Sequence, residues 1–189
     1  MIFVLAAVGA APASARATVS TYSIAAIDYL PTPLQQVGKV QAGLLCLPKG
    51  KLKWRDVARP EQPALVARVE KALGASGLNV APQPDPLYGD PPPATQYRLR
   101  VSVESVSLKI CTAGDVLFVG KVGKPPHTQG SISVQWETFD RAARVRISEH
   151  RYVIPVSDRD ADARTASRVL NDAIVESAVR YAATRKGAD

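Results

Sequence analysis

Between Ile132 and Val156 the sequence alternates apolar and polar residues with a period of two. Ile132, Val134 and Trp136 are separated by Ser133, Gln135 and Glu137. Asp140-Arg141 supplies a turn, Val145 and Ile147 begin a return, and Tyr152, Ile154 and Val156 continue it. A helix repeats every 3.6 residues and cannot present this pattern on one side, whereas successive strand side chains point to opposite faces. The segment is expected to form an antiparallel hairpin with one face in the core. Whatever the chain folds into must cover that face.

The cover is legible in the next segment. Ala166, Val169, Leu170, Ala173, Ile174, Ser177 and Tyr181 fall on one stripe of a helix expected over 158–186. Asp158 and Asp160 stand at its positive end, and Arg180, Arg185 and Lys186 at its negative end. A second helix is expected to open at Pro60 and Pro63, where a missing N–H costs nothing. Leu65, Val69, Ala72 and Leu73 form its core stripe, and Gly74 and Gly77 suit its C-terminal cap.

Further strands precede and separate these elements. Val37–Leu47 reads as one strand, apolar on both faces and so central in its sheet, ended by Pro48-Lys49-Gly50. Leu78–Val80 reads as a short strand. Tyr97–Ile110 reads as a long one whose apolar parity slips between Val103 and Val106, as a β-bulge requires. Residues 82–94, rich in proline, are expected to be a surface loop. The fold class expected is α+β: a mainly antiparallel sheet with two amphipathic helices packed on it, in the order strand, helix, strand, strand, strand, strand, helix.

The first residues serve a different purpose. Met1–Ala11 is apolar and too short to span a bilayer, which takes about 20 such residues. Ala13, Ala15 and Ala17 fit an A-x-A cleavage pattern. Residues 1–17 are therefore expected to be a secretory signal, 18–36 an extended lead-in or short strand, and 37–189 a single domain. No Lys or Arg precedes the apolar run, which leaves room for a start upstream of Met1. The expected location is periplasmic or secreted. The two cysteines, Cys46 and Cys111, then suggest one disulfide. Neither follows the signal closely enough to be lipidated.

Few residues suggest chemistry. His127 and His150 are the only histidines, and neither lies near a nucleophile signature or a histidine–carboxylate motif. Both are expected to be structural or surface groups, with no metal and no cofactor. Asp158, Asp160 and Asp162 begin like a calcium loop but lack its glycine and downstream glutamate. Gly120–Lys124 lacks the P-loop spacing.

Two segments suggest binding instead. Lys49, Lys51, Lys53 and Arg55 alternate with Leu52 and Trp54. They read as a guard on a sheet edge, or else as a row for an anionic polymer. Val116, Leu117, Phe118 and Val119 lie in a long insertion, either as core or as a contact surface. The net charge of +7 favours acidic surfaces.

The carriers Val40–Leu47, Tyr97–Ile110, Ile132–Phe139 and the helix at 158–186 give a pattern that resembles the periplasmic domains of bacterial assembly accessories. Among these are the curli-secretion lipoprotein, the outer-membrane activators of penicillin-binding proteins, and polysaccharide-export lipoproteins. Those proteins carry a lipidated cysteine after the signal and this sequence does not. No functional residue is carried over.

The expected function is a non-catalytic accessory that docks by its sheet edge or its 112–130 loop onto an envelope complex, or onto a second copy of itself. The alternative is a binder of anionic glycan or lipid headgroups through the basic strand, and the third reading is a hydrolase. Nucleic acid is not an expected partner.

Overall fold

The computed structural model describes residues 20–43, 45–57, 61–81, 95–112, 127–159 and 163–187. Residues 1–17, expected to be a signal, residues 82–94, expected to be a loop, Pro60, Val116–Val119, Gly120–Lys124, Asp160 and Asp162 lie outside them.

Seven strands form one mixed sheet, and two helices lie on one of its faces. The strands are β1 (Thr21–Tyr29), β2 (Gln36–Ala42), β3 (Leu47–Lys53), β4 (Asn79–Val80), β5 (Tyr97–Thr112), β6 (His127–Asp140) and β7 (Val145–Asp158). The helices are α1 (Gln62–Ala75) and α2 (Ala163–Lys186). The α+β class and the two packed helices agree with the sequence.

The sixteen-residue β5 organises the sheet. One of its edges pairs antiparallel with β6 along its whole length, and β6 pairs with β7 in the same sense. Its other edge is shared. β1 runs parallel to its first half, from Tyr97 to Val103, and β2 runs parallel to its last, from Leu108 to Thr112. The register slips at Glu104, where the apolar parity of the sequence changes.

β5 and β6 turn their larger apolar side chains to the helices. Leu99, Val101, Val103, Val106, Leu108 and Ile110 of β5 are buried with Ile132, Val134 and Trp136 of β6. All seven residues of the stripe proposed for α2 are buried against them. The opposite face carries Arg98, Arg100, Ser107 and Lys109 and has no covering layer among the described residues.

α1 ends as glycine chemistry dictates. Gly77 takes φ +89°, its N–H meets Gly74 O, and Leu78 N–H meets Leu73 O, the paired bonds of a Schellman cap.

Three sequence expectations need correction. Val37–Leu47 is not one strand. Gly43 and Cys46 both take positive φ, and the chain reverses there into β3, so that Pro48, Lys49 and Gly50 lie inside a strand rather than ending one. Proline is tolerated because β3 is an edge. Leu45 and Leu47 consequently stand in solvent, 77% and 62% exposed, rather than on a buried second face. Residues 18–36 contain a nine-residue strand, β1, held between β5 and β4. Asp158 closes β7 instead of opening α2, and its carboxylate accepts from Arg168 at 2.8 Å.

Candidate functional site

The two cysteines are joined. Cys46 sits in the β2–β3 turn and Cys111 near the end of β5, with Cα atoms 5.4 Å apart. Gln41 pairs with Cys111 in register, and β2 runs beside the end of β5, which brings the turn over it. His127, expected in a loop, is the first residue of β6 and lies opposite Cys111. Its ring nitrogen and both sulfurs fall within 4.8 Å of one another. A cysteine ligates a metal as its thiolate, and a disulfide offers none. His150 is half-buried on β7, edge-on to Tyr181 at 5.9 Å.

The basic strand is an outer edge. β3 has one strand neighbour, β2, and Lys49 and Lys51 are exposed on it. Lys53 is half-buried opposite Gln36, and Arg55 lies 3.7 Å from Asp56. The register adds two residues that a reading along the chain does not connect. Lys39 of β2 stands between Lys51 of β3 and Lys109 of β5, so three exposed lysines form a row across adjacent strands. Strands lie about 4.8 Å apart, and like charges directly opposite one another are destabilising. None of the three lysines meets a carboxylate among the described residues.

The other outer edge is unlike the first. β7 has fourteen residues and one strand neighbour, β6. From Val145 to Ser157 its outward backbone groups have no hydrogen-bond partner among the described residues. Val145, Ile147 and Val153 are 50%, 44% and 60% exposed along it. Lysine is absent from this strand, and one proline, Pro155, lies near its end and offers no N–H. Its charged residues are drawn inward over the sheet. Arg146 bridges Glu137 and Glu149 at 2.8 and 2.7 Å, and Arg151 meets Glu104 at 2.6 Å.

Where β1, the start of β5 and the β6–β7 turn converge, the uncovered face forms a cleft of about 720 Å³. Ala25 and Ala26 lie on one side, Arg98, Arg100 and Phe139 on the strands beside them, and Asp28, Asp140, Arg141 and Arg144 around them. Arg100 donates to Asp28 at 2.7 Å, and this carboxylate holds the guanidinium above its ordinary pKa. No sequence motif marked these residues, because β5 and the turn come together only through the β5–β6 register.

No family model and no curated protein matches the sequence. Several solved structures are similar. A Xanthomonas campestris protein assigned to the DUF330 family is 9% identical, with 92% of this chain and 94% of that one covered and a TM-score of 0.48. The hypothetical protein CT253 from Chlamydia trachomatis is 11% identical, with 86% and 95% covered and a TM-score of 0.44. A minor lipoprotein from Acinetobacter baumannii is 16% identical, with 78% and 94% covered and a TM-score of 0.35. Likeness at this distance says nothing of activity or partner, because function resides in sites and not in folds.

Proposed function

We propose that this protein is an exported, non-catalytic accessory of the bacterial envelope, and that it docks by accepting an extended segment of a partner protein onto the free edge of β7. The observation that carries the reading is the asymmetry of the two sheet edges. Natural sheets blunt their edges with short strands, lysines and proline. β3 has all three, in seven residues that include Pro48, Lys49 and Lys51. β7 is twice as long, lacks lysine, and exposes Ile147 and Val153; its own proline, Pro155, stands near its end and leaves Val145–Ile154 without one. Strand addition draws affinity from backbone hydrogen bonds and specificity from alternate side chains, and β7 offers both. Export is supported by the apolar start, the A-x-A pattern and the Cys46–Cys111 disulfide. No described helix is long and apolar enough to cross a membrane.

The test compares affinity capture from native envelopes by the wild type and by an Ile147→Lys/Val153→Lys variant of unchanged circular dichroism. A partner recovered by the wild type and lost by the variant is the expected result. The same partners recovered by both contradict it.

The Lys51–Lys39–Lys109 row supports a second reading, binding of an anionic glycan or lipid headgroup. Such binding relieves the repulsion within the row and weakens as salt rises. Binding to acidic vesicles that is unaffected by salt, or unaffected by Lys39→Gln, contradicts it.

A further inference from the structure

We infer that the arginine-walled cleft beside β1 is a binding site for a small organic anion, recognised through its carboxylate or phosphate group. Among the described residues the cleft carries more positive charge than negative. Four arginines, Arg98, Arg100, Arg141 and Arg144, face two aspartates. Both aspartates are already engaged: Asp28 accepts from Arg100 at 2.7 Å, and Asp140 accepts from the Ala143 N–H at 2.8 Å inside the turn. Arg141 reaches Thr95 Oγ1 at 3.4 Å. The side chains of Arg98 and Arg144 meet no carboxylate and make no hydrogen bond among the described residues. On the same face Arg146 and Arg151 are both neutralised by glutamates, so the imbalance is local.

The backbone is shaped around the same place. β1 bulges at Ala25, where its ladder with β5 slips between Ile24 and Ala26, and two alanines flank the space instead of larger side chains. Bulges recur beside binding sites, where they re-aim side chains. Arg144 takes φ +56°, the left-handed region. Glycine occupies that region freely, whereas another residue gives up about 1 kcal/mol or more. An arginine held there without a partner suggests a role for its guanidinium.

Guanidinium groups fit carboxylate and phosphate oxygens through paired N–H donors. A space of about 720 Å³ falls within the range of small-molecule sites. The anionic end would lie between Arg98 and Arg144, and the apolar part against Ala25, Ala26 and Phe139.

The site is independent of docking at β7 and is tested apart from it. Inorganic phosphate and glucuronate are titrated separately into the full chain, with amide chemical shifts followed by NMR. The Arg98→Gln and Arg144→Gly variants are compared, the second of which relieves the turn and so cannot lose binding through strain. The expected result is saturable shifts at Ala25–Asp28, Arg98–Arg100 and Phe139–Arg144 with at least one probe, weakened about tenfold in each variant, the effect of losing one charge-assisted hydrogen bond. Phosphate alone saturating assigns a phosphoryl ligand, and glucuronate alone a carboxylate. No saturable shift with either probe, or affinity unchanged in both variants, overturns the inference.

Discussion

Trp136 of β6 lies stacked on Tyr181 of α2, with ring centroids 4.8 Å apart and planes 15° from parallel. Both are fully buried, and each polar tip is satisfied across the layer boundary. Trp136 Nε1 donates to Ser177 Oγ at 2.9 Å, and the Tyr181 hydroxyl shares a hydrogen bond of 2.6 Å with Thr138 Oγ1. This cluster fixes where α2 sits along the hairpin. Ser177→Ala leaves the indole N–H buried without a partner. The expected loss of stability is about 1–3 kcal/mol, read from urea unfolding. A change below about 0.5 kcal/mol would show that the indole N–H finds another acceptor.

Tyr181 also predicts a pH dependence. Burial pushes its pKa above the ordinary 10.0, outweighing the opposing hydrogen bond from Thr138. The folded protein thus keeps a proton that the unfolded chain releases. The stabilising contribution is complete below about pH 10 and is lost as pH rises through the folded value. In Tyr181→Phe the fall in stability between about pH 9 and pH 11 should be shallower than in the wild type. Equal slopes would place the phenol in contact with solvent.

The disulfide joins residues 65 apart in sequence. Closing a loop of that length restricts the unfolded chain by about 4 kcal/mol in the chain-entropy model. The Cys46→Ser/Cys111→Ser double variant should lose stability of that order. Reductant should lower the wild-type urea midpoint and leave the variant's unmoved.

Leu108 has a glycine on either side, Gly38 in β2 and Gly130 in β6. A Cβ on Gly130 would collide with the carbonyl oxygen of Ser107, and one on Gly38 with that of Leu108. The sheet therefore brings its backbones unusually close at this row. Gly130→Ala should destabilise by roughly 1–3 kcal/mol, the usual cost of overpacking. Gly50→Ala, with nothing within 4 Å of its added Cβ, is the control and should stay within about 0.5 kcal/mol of wild type.

Much of the fold was legible because its signals are local. The α2 stripe, the α1 cap at Gly77 and the slip at Glu104 all follow from residues near one another in sequence. β1 was harder to see because the bulge at Ala25 breaks the alternation of Tyr22, Ile24 and Ile27. The same one-residue slip that marks β5 was its signal. The β2–β3 reversal was hidden because the residues described at it, Gly43, Leu45 and Cys46, include none of the polar residues that usually mark a turn.

Both basic sites were out of reach for a different reason. Lys39, Lys51 and Lys109 become neighbours only through the parallel β2–β5 ladder, and Arg98 meets Arg144 only through the β5–β6–β7 register. The free edge of β7 is likewise a property of strand order, which alternation along one strand does not encode.

Photo-crosslinking in the native envelope tests the docking account most directly, with a benzophenone side chain placed at Val153 on β7 or at Lys51 on β3. The account predicts a discrete adduct to one partner protein from Val153 and none of that mass from Lys51. No adduct from Val153, the same adduct from both positions, or an adduct of twice the chain's own mass would contradict it.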